Sequence, residues 1–538
     1  MMTYFNLNEE TLKNNVAQNI RERKGSFFTP RIWVELSQKY IADVFGEDWQ
    51  ENYYVWDCAA GTGNLLAGLT NKYRIYASTI DQADVKIMHE RIKSGANLLE
   101  DHVFQFDFLN DSFDELPASL RSIIKNEPEK LIVYINPPYA ETMSYGKKHK
   151  AGLNKSMVND AYKDKMGAGA NRELFVQFLV RIYYEIPSSK IANFSKLKFI
   201  QSPYFKIFRQ NFQTELKISF LVPANSFDNV VGHFPIGFYI WDTKKKTSFV
   251  PTEVDVFDSY GTFKCKKNIL IYDKYKSINE WIRSTRNRRG EKKIGFISCL
   301  GNDFQTKNLV FVMNEKNQMA APRGSWITDK NLLEVAIYFT IRKVIPATWL
   351  NDRDQFLYPN DGWKKNKHFQ SDCLVYTLFH NSNNIKSKYG INHWTPFTAE
   401  EVNARTRFES SFMTDFITGK LKTKKTETNA LLRFQEPEAE YNLVPRGSKG
   451  LSFSDRALEV LKAGRALWTY YHTQPNCNVN ASFYDIREYF QGRDEKGRMN
   501  STSDDGIYNK LLGELKLEMK FLALQIEPKV YEYGFLIK

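Results

Sequence analysis

The tetrapeptide Asn136-Pro137-Pro138-Tyr139, directly after the apolar run KLIVYI, holds the densest chemistry in the sequence. An exocyclic aromatic amine is a poor nucleophile, because its lone pair is delocalised into the ring and its nitrogen is nearly planar. The Asn136 side-chain oxygen and the Pro137 carbonyl can both accept hydrogens from such an amine. That draws the nitrogen toward tetrahedral geometry and aims its lone pair at an electrophilic carbon. The prolines lock the backbone so that the two acceptors converge, and the Tyr139 ring offers a face for a planar substrate. A carboxamide is another planar nitrogen that this arrangement suits, and a plain Asn-Pro-Pro loop is the bland alternative.

Three segments upstream each end a predicted strand. In Val55-Trp56-Asp57-Cys58-Ala59-Ala60-Gly61-Thr62-Gly63-Asn64 a strand runs into a Gly-x-Gly turn, where the absence of Cβ lets backbone approach a ligand at the head of the next helix. Asp57, Ala59, Gly61 and Gly63 are the candidate binding positions there, although a tight turn alone reads the same way. Asp81 ends YRIYASTID, where an acid can accept from both hydroxyls of a ribose or cap the following helix. Asp107-Phe108 comes after HVFQF; the carboxylate can accept the amino group of a cofactor adenine while the phenyl packs on its ring. Each segment is ambiguous alone, but their order at successive strand ends describes a nucleoside-type site leading to the Asn-Pro-Pro acceptors.

Such a site needs a scaffold that gathers strand ends. From Phe27 to about Trp241 short apolar runs alternate with amphipathic stretches. YYVWDCAAGTG, YRIYASTID, HVFQFDF, KLIVYINPPY, KISFLVPANSF and IGFYIWD read as strands, and PRIWVELSQKYIADVF, DVKIMHERIKSG and RELFVQFLVRIYYEI as helices. The alternation predicts an α/β layer with a largely parallel sheet, whose strand C-termini form the ligand crevice. The predicted domains are a catalytic domain over 1–250 with a lead-in over 1–25, a second domain over 251–440, and a linker with a helical region over 441–538. Arg283, Arg286, Arg288, Arg289, Lys292 and Lys293 form the densest basic cluster of the second domain, either a solvated face or a phosphate-contacting segment. KLKTKKTET, from Lys420 to Thr428, leads into a linker containing LVPRGS (Leu443 to Ser448), which matches a thrombin-cleavage sequence and is given no native role. The segment from Ser144 to Ala170, with Lys147, Lys148, His149, Lys150, Lys155, Lys163, Lys165, Gly167 and Gly169, reads as a mobile lid or a solvated loop.

With 538 residues the chain is long enough for two or three domains. A formal net charge of +13 favours a polyanionic partner, since each neutralised phosphate releases counterions, although lysine-rich composition alone gives the same value. The N-terminal residues lack a secretory h-region, and no apolar run approaches a membrane span, so cytoplasmic localisation without membrane contact is expected. Cys58, Cys265, Cys299, Cys373 and Cys477 are scattered and nowhere at CxxC spacing; reduced thiols are expected, with no metal site.

Together these segments resemble the motifs of the gamma-type N6-adenine DNA methyltransferases, in which a Thr-Pro segment precedes the Gly-rich loop. Here that segment is Gly25-Ser26-Phe27-Phe28-Thr29-Pro30. The resemblance covers roughly residues 20 to 245. It implies a Rossmann-like S-adenosylmethionine-dependent methyltransferase domain with a mixed, mostly parallel sheet, plus a C-terminal α+β target-recognition domain ending in a small helical region. S-adenosylmethionine is the implied cofactor, contacted by Phe28, Thr29, Pro30, Asp57, Ala59, Gly61, Gly63, Asp81, Asp107, Phe108 and Asn136, with Thr29 and Pro30 over its methionine moiety. The implied reaction is direct methyl transfer to N6 of a flipped-out adenine of double-stranded DNA, as in restriction-modification systems. Asn136, Pro137, Pro138 and Tyr139 form the catalytic motif, and Phe234 in Gly232-His233-Phe234-Pro235 is the second aromatic against the base, preferred over Phe238. Arg172-Glu173-Leu174-Phe175 resembles the helix after the catalytic motif, and Phe220 to Phe227 a later strand. An acid-acid-lysine or HNH pattern is not found, so a cognate endonuclease would be a separate chain; oligomeric state is left open. Protein-glutamine or RNA-adenine methylation, and a non-catalytic DNA-binding subunit, are the alternatives.

Overall fold

A computed structural model describes residues 28–139, 156–227, 230, 232–285, 292–316, 323–421 and 450–538. The chain forms two compact units, one of residues 1–274 with 348–353 and one of residues 275–347 with 354–538.

The first unit is built on a nine-stranded sheet of order β3-β2-β1-β4-β5-β7-β6-β8-β9. Its strands are β1 (Tyr54–Asp57), β2 (Ile75–Thr79), β3 (Val103–Gln105), β4 (Leu131–Ile135), β5 (Lys190–Lys196), β6 (Glu215–Pro223), β7 (Pro235–Asp242), β8 (Thr252–Phe257) and β9 (Phe263–Ile269). Strands β1 to β5 pair in parallel, whereas β7 runs antiparallel between β5 and β6. Helices cover both faces, so the central strands are apolar on both sides. In β4, Ile132 and Tyr134 face the core containing Trp33, Tyr40, Val85 and Met88. Leu131, Val133 and Ile135 face the core containing Leu120, Phe175, Phe178 and Leu179. The first core is covered by α1 (Arg31–Phe45) and α2 (Gln82–Lys93), the second by α3 (Ala118–Asn126), α4 (Met157–Ala170) and α5 (Leu174–Glu185).

Strand β5 escaped the sequence reading, because Lys190, Asn193 and Ser195 interrupt its apolar run. All three are buried and partnered, which is what makes them tolerable there. Lys190 Nζ donates to Asp242 at 2.7 Å, Asn193 Oδ1 accepts from the Trp241 indole at 3.0 Å, and Asn193 Nδ2 donates to Ser195 Oγ at 3.0 Å. The expected boundary at residue 250 is also displaced. β8 pairs in parallel with β6 and β9 pairs with β8, so the sheet carries the first unit on to residue 274.

The second unit holds a three-stranded antiparallel sheet, β11-β10-β12, of strands Gly295–Ser298 (β10), Val312–Met313 (β11) and Gly324–Ile327 (β12). Its longer helices are α6 (Leu332–Val344), α7 (Lys367–Phe379), α8 (Asp455–His472) and α9 (Gly506–Glu532). α6 and α7 share one core with α8 and α9, including Phe339, Leu374, Trp468 and Leu522, so the region expected as a separate C-terminal piece packs into this unit. No described helix is long and apolar enough to cross a membrane. Residues 1–27, the run 140–155, Arg286, Arg288, Arg289 and the stretch 422–449 with LVPRGS lie outside the described residues.

Candidate active site

Strands β3, β2, β1 and β4 lie side by side and point the same way, so the segments leaving their C-terminal ends collect at one edge. Strand spacing of about 4.8 Å makes the row of four ends span roughly 15 Å, the length scale of a nucleoside with a short side chain. The four segments singled out from sequence are the ones at these ends. Val55 pairs with Ile132 and Trp56 with Val133, which sets the start of the Asn136 tetrapeptide beside Asp57 and its glycine turn.

The glycine turn is held from three directions. Ala60 N–H donates to the Ser78 carbonyl of β2 at 2.9 Å, and Gly63 N–H donates to Ala60 O at 2.8 Å. Arg91, from the third turn of α2, donates to Thr62 O at 2.7 Å and to Asn64 Oδ1 at 2.9 Å. Gly61 and Gly63 have φ of 52° and 84°, the left-handed region that glycine enters without steric cost. A Cβ placed on Gly61 would meet no atom within 4 Å, so the turn has open space in front of it. Asp57 is buried, with Oδ1 accepting from Ala59 N–H at 3.0 Å, and burial pushes its carboxyl up from 3.8 to about 7.

Asp81 caps α2, its Oδ1 accepting from Ala83 N–H at 3.0 Å, so the capping reading of this acid is realised in the structure. It stands half-buried at the open edge. Asp107 shapes the turn after β3: Oδ1 accepts from Leu109 N–H at 3.0 Å and Oδ2 from Asn110 Nδ2 at 2.8 Å. The Phe108 ring is not on the ligand side. It stacks on Phe178 of α5 at 4.9 Å and meets Trp56 edge-on at 5.5 Å, within the core on the far face of the sheet. With 2% exposure it has no face for a cofactor ring, which corrects the expectation that it packs on adenine. Phe104, Phe106 and Phe108 all pack into this same core, so the aromatic alternation of β3 simply continues through Phe108.

The tetrapeptide and the Thr-Pro segment meet directly. Asn136 Nδ2 donates to Thr29 Oγ1 at 2.9 Å, a contact across 107 residues of sequence. Thr29 is buried and Phe28 half-buried. Pro30 opens α1, its carbonyl accepting from Trp33 and Val34 N–H. Trp33 Nε1 then donates to Ser226 Oγ at 2.9 Å, tying α1 to the loop after β6. The Tyr139 hydroxyl donates to Asn136 Oδ1 at 2.6 Å, and its ring is 6% exposed. Burial holds that hydroxyl well above its usual titration range, so it is a donor at every working pH. Phe234 is half-buried against the core next to β7, while Phe238 is fully buried between Phe194 and Phe220.

Two groups missed by sequence reasoning lie behind the tetrapeptide. Lys196, the last residue of β5, donates from Nζ to Tyr139 O at 2.7 Å. Glu173, 3% exposed at the head of α5, lies 3.6 Å from Lys196 Nζ and also pairs with Lys198. The Arg172-Glu173 resemblance carried a hint of the acid but none of its partners. The stretch expected as a lid divides at Ser156, whose side chain caps α4 by accepting from Asn159 N–H at 2.9 Å. The stretch from residue 157 with Lys163 and Lys165 is therefore helical rather than loop, with a kink at Gly167 (φ 82°, ψ 160°), and the preceding lysines lie outside the described residues.

A mostly parallel sheet with antiparallel β7 wedged between β5 and β6, a glycine turn after β1 and acids after β2 and β3 define the class I S-adenosylmethionine-dependent methyltransferase fold. Residues 6–192 match the family model described as N-6 DNA methylase. Similar solved structures include a DrdV–DNA complex, at 14% identity and a TM-score of 0.34 over 45% of this chain and 28% of that one. The methyltransferase subunit of a type I restriction-modification system from Streptococcus thermophilus is 17% identical, with a TM-score of 0.33 over 46% of this chain and 50% of that one. For a putative class I S-adenosylmethionine-dependent methyltransferase from Listeria monocytogenes the values are 14% and 0.30, over 46% and 69%. This chain thus spans half or less of the first two structures. A search among curated proteins finds no match.

Proposed function

We propose that this chain transfers a methyl group from S-adenosylmethionine to N6 of adenine in double-stranded DNA. The observation that carries the reading is the convergence of Thr29, Asn136 and the glycine turn at one edge of the sheet. The cofactor supplies an electrophilic methyl on a sulfonium; everything else falls to the protein. Open space before Gly61 and the acids at three neighbouring strand ends fit a cationic nucleoside cofactor. Asp81 receives the ribose hydroxyls with the acceptor capacity left beside its capping bond, and Asp107 receives the adenine amino group in the same way. Asp57, Ala59, Gly61 and Gly63 line the turn, and Phe28, Thr29 and Pro30 lie over the methionine end. Phe108 contributes only through the core beneath.

Asn136 Oδ1 and the Pro137 carbonyl accept from the target amine, and Pro138 fixes their angle. Thr29 holds the Asn136 amide by its nitrogen, while its carbonyl oxygen accepts from the Tyr139 hydroxyl until the target amine takes that place. The base leaves the duplex to reach these acceptors and lies between Tyr139 and Phe234. The second unit, with Arg283, Lys292 and Lys293, is proposed to contact DNA, and any accompanying endonuclease to be a separate chain. The test is transfer of labelled methyl from S-adenosylmethionine to genomic DNA, RNA and protein in parallel. Label in DNA at N6-adenine is expected; label in RNA or protein alone would overturn the reading.

A further inference from the structure

The end of β5 lies between the two segments assigned to the target base. On one side it runs antiparallel to β7, with Ser195 opposite Gly237 and Lys196 opposite Ile236, two residues beyond Phe234. Leu197 N–H donates to Pro235 O at 3.3 Å and continues that attachment. On the other side β5 is parallel to β4, with Asn193 opposite Ile135. That register brings residue 196 level with the middle of the tetrapeptide, from where its ammonium reaches Tyr139 O. Lys196 thus joins the two segments with its backbone on one and its side chain on the other.

A lysine placed in a sheet this deeply buried is costly unless its charge is met. Glu173 meets it, and Lys198 satisfies the same carboxylate. Tyr139 lies past the end of β4, outside the ladder registers, so at its carbonyl a side chain provides the hold that neighbouring strands provide within the sheet.

We propose that Lys196, supported by Glu173, is a positioning residue that sets the spacing between Tyr139 and Phe234 and so the width of the slot for the flipped base. Its grip is on main chain, so the Tyr139 ring turns outward to stack while the Pro137 and Asn136 acceptors stay in place. The inference rests on the proposed adenine methylation. It differs from a plain structural ion pair in a specific way: the cost of losing Lys196 falls on base capture and turnover rather than on cofactor binding.

The test uses the full chain and a recognition-site duplex, with 2-aminopurine at the target position for fluorescence and adenine for turnover. Lys196→Met is expected to lower kcat by roughly 10- to 100-fold, the scale of an acceptor misplaced by about 1 Å, with cofactor Kd within about twofold. The fluorescence rise that reports the extruded base should shrink in parallel, and Lys196→Arg should restore most of both. Glu173 keeps Lys198 as a partner in this variant; where Lys196→Met does not fold, Lys196→Gln is read for the same losses. A folded variant with wild-type kcat and fluorescence overturns the inference and leaves the proposed function standing. A wild-type chain that methylates no adenine overturns both.

Discussion

The bond between Tyr139 and Asn136 gives the sharpest prediction. Asn136 Oδ1, the acceptor proposed for the target amine, already accepts from the Tyr139 hydroxyl at 2.6 Å, and the ring proposed to stack on the base is turned into the core. Base entry therefore competes with an internal hydrogen bond. Tyr139→Phe keeps the ring and removes the competitor. A net hydrogen bond of this kind is worth about 0.5–1.5 kcal/mol, which corresponds to a factor of about 2 to 12 in the balance between inward and outward rings. The variant should raise kcat/KM for DNA by up to that factor and strengthen 2-aminopurine fluorescence in the complex. It should also lose about 1 kcal/mol of folding stability, because Asn136 is deprived of a buried donor. Because the hydroxyl stays protonated, the gain should not vary between about pH 6 and pH 9. Steady-state methyl transfer with the cognate duplex measures it. A tenfold or larger fall in kcat/KM, with stability unchanged, would mean that the hydroxyl assists transfer and that the competition argument is wrong.

Asn136→Ala should abolish transfer, a loss of at least about 100-fold for an acceptor aimed at developing charge, while calorimetry shows cofactor Kd nearly unchanged; measurable turnover near wild type would refute its role. Asp81→Ala should weaken cofactor binding first, by roughly 10- to 100-fold from lost charged hydrogen bonds, and lower helix stability by about 1 kcal/mol through the missing cap. Asp81→Ser keeps a capping oxygen and separates the two effects: stability should recover while affinity does not. Asp57 titrates near 7 in the fold and at 3.8 when exposed, so burying it is least costly below about pH 4 and the stability it allows declines as pH rises to about 7. Asp57→Asn should therefore leave unfolding free energy unchanged near pH 4 and raise it by up to roughly 4 kcal/mol at pH 8. Equal effects at both pH values in denaturant titrations would contradict the burial argument.

Much of the first unit was legible because its signals are local. A glycine turn, a strand-end acid and an Asn-Pro-Pro run each constrain their own backbone, and a parallel sheet then aligns them by register. What stayed hidden depends on tertiary pairing. β5 is written in lysine, asparagine and serine, residues that become acceptable in a sheet only when Asp242, Trp241 and Ser195 complete them. Lys196 reads as a surface lysine until the register of β4 and β5 gives it Tyr139 O. Phe108 was assigned to the wrong side for the same reason, since the stack on Phe178 exists only once α5 covers the sheet. The end of the first unit was missed because β9, with Lys264, Lys266 and Lys267, has the polar composition of an exposed edge strand rather than of a core one.

Helix α2 carries one further consequence. Its first residue comes directly after Asp81, while its third turn holds Thr62 and Asn64 through Arg91. One rigid rod therefore fixes the distance between Asp81 and the glycine loop. The proposed cofactor would then meet an acid and a glycine turn already set relative to each other, so its association should be quick and show little of the entropy loss that accompanies loops ordering around a guest.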